Sequence, residues 1–466
     1  MPIERSSMEA IGWAAIGLCA AALLGIATAV NPAVGTVSAL GLVALVAVAL
    51  RPGLVLPLLG ASIFVEELAI GGVTISRILA PVALGVLLAA AMQRRLTIGA
   101  TSPLRWAGAY AVWALASLTW TISTNDTVFQ LSSLAIGLIY MIVVATLIDS
   151  PRDLYVVLVA IVFGSCLAGI AALAEVVFHV SSAYKAGRPT GGAGDPNLFA
   201  AYQVCALPIT LVLVATTRNR SLRALLIFAA LIGIASIFAS ESRGGLLALA
   251  PVVLLIAVLP ARTILGSRSG KIAMLVILLV TGAVVLTATA DPVLSRIAAV
   301  QTSDTSGSGR TYLWKAAWTS IKEHEPLGLG YGGFPAAADE LLRETPGVDF
   351  RHVMLIPDTQ GSEVHSIYLG SLAELGPVGL VLLVSLLLAT ARHLIRTSKR
   401  ARQAGAAFVA RIANALVLSL LGWSIAAIFL SIETSRSLWI LVGISLAIPK
   451  LITRDCVDSP SRWYAG

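Results

Sequence analysis

The sequence predicts an all-α integral membrane protein with about 12–14 transmembrane helices and one long, partly helical outward loop. Three observations carry this. Of 466 residues, 58% are hydrophobic and 12% charged, and mean hydropathy is +0.91, which excludes a soluble domain. Apolar runs long enough to cross a hydrocarbon core of about 30 Å recur along the chain. One stretch breaks the pattern: residues 291–364 are polar, carry helical periodicity of their own, and are too long for a mere connector.

Taken in order, candidate spans fall near 10–30, 33–50, 54–70, 74–92, 103–121, 127–148, 153–178, 197–217, 222–240, 245–260, 271–290, 365–391, 405–430 and 437–452. Fourteen spans result. Several are short, so twelve spans with re-entrant or interfacial pieces is the alternative. Residues 10–29 also resemble a signal peptide, since Ala27-Thr28-Ala29 fits a small-residue cleavage pattern. The reading favours an uncleaved first span, because further apolar segments follow at once. The organisation is therefore 1–290 as N-terminal transmembrane helices, 291–364 as the extracytoplasmic loop, and 365–466 as C-terminal helices with a cytoplasmic tail.

The net charge of +8 is sorted by side. An even span count puts both termini on one side. That side, with Arg94-Arg95, Arg218, Arg220, Arg223, Arg262, Arg268, Lys271 and the run 392–402, holds about 21 of the 32 Lys and Arg residues. By the positive-inside rule it is cytoplasmic, and 291–364 faces outward. The basic runs read as anchors to membrane lipids and not as a nucleic-acid surface. Cys19, Cys166 and Cys205 fall in apolar segments and Cys456 in the tail, so no disulfide framework or zinc spacing exists.

Within the long loop, 310–325 reads as an amphipathic helix with Leu313, Ala316, Ala317 and Ile321 on one face. Trp314 and Trp318, one turn apart, suit a membrane interface. Pro326 and the run Gly328–Gly333 stop the helix, and a second short helix fits 336–344, with Pro335 at its start. The loop is expected to fold down onto the outer membrane surface.

Polar groups at the outer boundary are the candidates for chemistry. Arg243 lies in Ser240-Glu241-Ser242-Arg243-Gly244-Gly245. It reads either as an arginine snorkelling to headgroups or as a phosphate clamp making two parallel hydrogen bonds. Arg310 follows Ser306-Gly307-Ser308-Gly309 at a helix start. It is either a solvated helix terminus or part of an anion site. His365, at the end of the loop, is either an interfacial histidine or a general base, and on a helix it would share a face with Tyr368, Leu369 and Leu372. His324 reads as a solvated helix face and His393 as part of a basic run. Glu66-Glu67 and Asp339-Glu340 read as loop solvation. No His or acidic spacing suited to a metal occurs on the outer side, and Gly328–Gly333 follows no strand, so it is not a nucleotide loop.

Several of these segments together resemble the O-antigen ligase and polymerase superfamily. They are Gly309-Arg310 with its helix through Trp318, Pro326 to Phe334, His365 to Gly376, Gly191 to Asn197, and Ser242-Arg243-Gly244. The likeness spans roughly 185–440. It implies a membrane glycosyltransferase that moves a glycan from a polyprenyl (undecaprenyl) diphosphate carrier to an acceptor hydroxyl on a glycan or lipid. The enzyme would work at the outer face of a bacterial inner membrane, without metal or other cofactor. In that reading Arg243 and Arg310 hold the diphosphate, His365 assists the acceptor, and Arg188 and Tyr368 are accessory. A polymerase extending the carrier-linked glycan is the alternative, and a transporter without catalysis a weaker one.

Overall fold

In the computed structural model, the described residues are 54–66, 69–70, 73–92, 99–178, 188–288, 309–323, 326–348, 363–432 and 435–453. The expected spans at 10–30 and 33–50, with Cys19, Cys456 and His324, lie outside them. Helices dominate for a physical reason: a backbone in lipid must satisfy its polar groups within one segment. The chain is an all-α integral membrane protein.

The first helix, α1 (Val55–Ser62), continues as a 3-10 turn, Ile63–Val65. A minimal antiparallel pair follows, β1 (Ala69–Ile70) with β2 (Val73–Thr74). Next come α2 (Ile75–Met92), α3 (Ser102–Ala116), α4 (Thr124–Leu147) and α5 (Pro151–Val177). The middle of the chain forms α6 (Pro196–Thr216), α7 (Arg220–Ala239), α8 (Arg243–Val258) and α9 (Arg268–Ala288). Two helices of the long loop are α10 (Arg310–Glu323) and α11 (Phe334–Glu344). The last three are α12 (Ile367–Gln403), α13 (Ala407–Ala426) and α14 (Arg436–Ala447).

Six of the described helices are long and apolar enough to cross a membrane: α4, α5, α6, α7, α12 and α13 with its extension to Phe429. Val55–Val65, Arg77–Met92 and Arg243–Val258 are shorter apolar helices. The most enclosed is α6, 83% of whose apolar window is buried against α5, α7, α8 and α13. A helix apolar all round belongs in such a position. Where α14 meets α4, Gly443 lies against the Met141 backbone, and a methyl group on Gly137 would overlap the Trp439 ring. Small residues let helices without a hydrophobic driving force approach closely.

Glu66 is not loop solvation. It is 3% exposed and forms a buried salt bridge with Arg436 at the start of α14, while the Tyr202 hydroxyl of α6 donates to its Oε2 at 2.8 Å. This fastens three distant elements, because a buried carboxylate without its partner would carry an uncompensated charge.

The glycine run Gly328–Gly333, expected to stop a helix and form a loop, also packs into the bundle. Helix α12 breaks at Gly376, with φ 66°, followed by Pro377. Proline has no N–H, so the carbonyl of Ala373, four residues earlier, loses its helical donor. The amide of Leu329 replaces it at 3.0 Å, and Gly330 N–H donates to the Glu374 carbonyl at 2.8 Å. Trp113 Nε1 donates to the Leu375 carbonyl at 2.9 Å. The buried Glu374 carboxylate then accepts from Gly332 N–H at 2.8 Å and Phe334 N–H at 3.3 Å. Tyr331 N–H donates to Ser117 Oγ at 3.0 Å, and its ring meets Tyr110 edge-on at 6.2 Å. The 327–334 segment is thus stitched into the bundle. It places α10 and α11 over the end of α12, where Leu313, Ala316, Ala317, Phe334, Leu341, Leu342, Val364 and Ala373 form a second apolar core.

Gly376 and Gly405 both have positive φ, 66° and 81°. A Cβ at 376 would sit 2.0 Å from the Pro326 carbonyl oxygen, whereas one at 405 meets nothing within 4 Å. Gly405→Ala is expected to cost only the left-handed strain, about 1–2 kcal/mol. Gly376→Ala is expected to lower the thermal unfolding midpoint of the purified protein far more. Equal midpoints for the two variants would mean that the stitched seam tolerates displacement.

Candidate functional site

Polar loops gather at one end of the bundle, and four helix N-termini are held together there. Asp195 caps α6, its Oδ1 accepting from the amides of Asn197 and Leu198 at 2.7 and 3.0 Å. The sequence signal for this start was Asp195-Pro196, a capping residue before a proline at the first helical position. Ser242 caps α8: its Oγ accepts from Gly245 N–H at 3.0 Å and donates to Asn197 Oδ1 at 2.9 Å, tying α8 to α6. Arg310 is the first residue of α10, after Gly309 with φ 78°. Ser366 caps α12 through the Leu369 amide at 3.4 Å.

A hydrogen-bonded frame fixes the loops around these termini. Glu175, near the end of α5, accepts from the amides of Thr190 and Gly191 at 2.9 and 3.1 Å. Arg188 Nε donates to the Ser240 carbonyl at 2.9 Å, and its NH2 donates to Asn197 Oδ1 at 3.3 Å. Arg188 therefore braces the turn before Arg243. The Tyr368 hydroxyl donates to the Ser424 carbonyl at 2.8 Å, which directs it toward α13.

Trp314 joins the pieces. Its ring stacks on Phe429 with centroids 6.2 Å apart, and its Nε1 donates to the Val364 carbonyl, beside His365, at 3.1 Å. Gly244, next to Arg243, packs against Phe429 on the other side. The neighbours of Arg243 and His365, and the helix that Arg310 opens, thus meet at one aromatic pair. Trp314 is half-buried against Phe429, whereas Trp318 is 52% exposed.

Electrostatics agree with the geometry. Burial pushes the Arg310 guanidinium below its usual range; the nearby Asp195 charge opposes this and the Arg243 charge adds to it. An arginine remains protonated regardless, so the shift reflects a charge held in a partly desolvated setting beside a second guanidinium. Arg243 is exposed and Arg310 half-buried, and the helix termini beneath them add partial positive charge. Together these groups make the local charge positive, which favours an anion.

His365 is not on the helix that follows it. Ser366 ends the loop as the cap of α12, and His365 precedes it with φ 54°. Its expected shared face with Tyr368 and Leu372 therefore does not exist. Among the described residues, the non-glycine positions with positive φ are Glu241 and His365, one on each flank of the site. Such conformations cost of order 1–3 kcal/mol and persist where surrounding structure imposes them. Among the described residues no group of three or more His, Cys, Asp or Glu side chains is gathered that could hold a metal ion.

Residues 228–384, about a third of the chain, match the O-antigen ligase family. The matched segment contains Arg243, Arg310, Trp314 and His365 together with the Glu374 seam. A search of curated proteins finds no match.

Trp314 supplies a ring and a donor, and two substitutions separate them. Trp314→Phe keeps the stack on Phe429 but leaves the Val364 carbonyl without its donor, an expected cost of about 1 kcal/mol. Trp314→Ala removes both and is expected to cost about 3 kcal/mol or more in thermal unfolding. Indistinguishable midpoints for the two would show that the aromatic pair does not hold the site together.

Proposed function

We propose that this chain, whose residues 228–384 form an O-antigen ligase domain, moves a glycan from a polyprenyl diphosphate carrier to an acceptor hydroxyl at the outer face of the bacterial inner membrane. The observation that carries the reading is the convergence of Arg243 and Arg310. Each opens a helix, and those helices meet at one aromatic pair at the bundle end where the loops fold.

In the reaction, the acceptor oxygen attacks the anomeric carbon and the bond from that carbon to the diphosphate oxygen breaks. The electron pair of that bond goes to the diphosphate. Charge builds on the leaving group, and two guanidinium groups with helix N-termini stabilise it as a divalent cation does elsewhere. His365 takes the acceptor's proton, and attack opposite the leaving group inverts the anomeric centre. His365 itself is half-buried and precedes the helix, next to the Val364 carbonyl held by Trp314. No metal is needed in this scheme.

Extension of the carrier-linked glycan by the same site is the second reading, since both reactions share the donor diphosphate. The glycan left on the carrier in a deletion strain separates them. Accumulated long chains indicate a ligase, and single repeat units a polymerase.

Lysine keeps the charge of arginine but not its paired donors. With purified protein, lipid-linked donor and acceptor, Arg243→Lys and Arg310→Lys are expected to lower turnover substantially while the protein folds normally. Normal turnover in both, and in both alanine variants, would reduce these residues to lipid anchors.

General-base assistance is typically worth about 10²–10⁴-fold in rate. His365→Ala is expected to abolish detectable transfer while donor binding persists. His365→Gln, which hydrogen-bonds without acting as a base, is expected to be nearly as inactive. Normal turnover of His365→Ala at saturating acceptor would exclude the catalytic assignment.

A further inference from the structure

At the end of the bundle opposite this site, the start of α3 and the far half of α12 enclose a cavity of about 330 Å³. Its lining includes Thr101 and Arg105 from one side, and Arg392, His393, Arg396 and Arg400 from the other, with no acidic residue among them. The three α12 arginines recur every fourth residue, so they stack along one helix face. Like charges at that spacing destabilise a helix.

Arg105, Arg392, Arg396 and Arg400 are all solvent-exposed. The ion pairs among the described residues join Arg436 to Glu66 and Lys450 to Asp149, and none involves Arg105, Arg392, Arg396 or Arg400. A second observation points the same way. Thr101 Oγ1 and His393 Nε2 are buried polar atoms of the cavity wall without a hydrogen-bond partner. A buried donor or acceptor left unmade costs about 1–3 kcal/mol. The cavity therefore combines a row of arginines that have no acidic neighbour in its lining with two buried, unused hydrogen-bonding atoms.

We infer that this cavity binds the phosphodiester headgroup of an anionic phospholipid. Guanidinium forks match phosphate oxygens in pairs, and basic pockets between membrane helices at such a boundary suit these headgroups. The apolar surroundings favour a lipid over a free phosphate compound. Leu388 and Ile395, one turn before and one turn after Arg392, are 48% and 43% exposed. They do not line the cavity but set apolar surface beside it, along which the acyl chains of a bound lipid would lie. The site stands independently of the glycan-transfer reading, because it shares no residue with it.

The test uses the full chain purified in neutral detergent, with lipid retention read by native mass spectrometry. The probes are phosphatidylglycerol, phosphatidylcholine and inorganic phosphate alone. The cavity variant is Arg392→Gln/Arg396→Gln/Arg400→Gln. The control is Arg218→Gln/Arg220→Gln/Arg223→Gln, which removes the same charge from equally exposed positions that do not line the cavity. Losing three charge-assisted contacts to one headgroup, at about 1 kcal/mol each, is expected to make the cavity variant retain phosphatidylglycerol about a hundredfold less tightly. The control and wild type should retain it equally, and phosphatidylcholine should bind weakly throughout. Equal loss in both triple variants would overturn the site in favour of diffuse surface charge. Displacement of the lipid by inorganic phosphate at matching concentration would assign the cavity to a free anion. If the triple variant does not fold, Arg396→Gln alone should weaken retention severalfold, and unchanged retention there also overturns the proposal.

Discussion

A missing amide hydrogen organises one end of this protein. Pro377 cannot donate to the Ala373 carbonyl, and the Gly376 backbone turns away from the helix, so three successive carbonyls of α12 need donors from elsewhere. The 327–334 segment and Trp113 supply them, and the Glu374 carboxylate holds the same segment from its side chain. Remove that exchange and α10 and α11 lose their seat over α12. Arg310 and Trp314, which ride on α10, would lose their register against Arg243 and His365.

The frame is repeated in kind. Glu374 accepts two loop amides, Glu175 accepts two more, and Glu66 holds Arg436 with the Tyr202 hydroxyl. Carboxylates satisfied by backbone donors are stable in a partly apolar setting, because charge-assisted bonds offset the loss of water. Three acidic side chains at one end of the bundle thus serve as fasteners. That leaves the positive charge of Arg243 and Arg310 less compensated than the overall composition suggests, with Asp195 as the nearby counter-charge felt by Arg310.

Much of the helical architecture was legible, because apolar length and 3.6-residue periodicity are local signals. The helices at Arg310–Glu323 and Phe334–Glu344, and the buried face of Leu313, Ala316, Ala317 and Ile321, follow from spacing alone. What escaped depends on partners far away in sequence. Glu66 beside Glu67 looks like solvation until Arg436, 370 residues on, is seen against it. Gly328–Gly333 looks like a helix stop because its acceptor, Glu374, lies some forty residues later. Arg243, Arg310 and His365 could be nominated by residue type, but Trp314 and Phe429, which gather them, carry no local mark of that role. His365 was placed on a helix because hydropathy rises there, yet the Ser366 side chain fixes the first turn one residue later.

The left-handed backbone at Glu241 and His365 has a consequence for the chain as a stable object. Glycine or asparagine at either position would relax the strain, so selection for heat resistance alone would drift toward replacing them. At position 365 the same replacement removes an imidazole. Durability and transfer would then be opposed at a single residue, and a thermostabilised descendant of this protein would be expected to arrive well folded and idle.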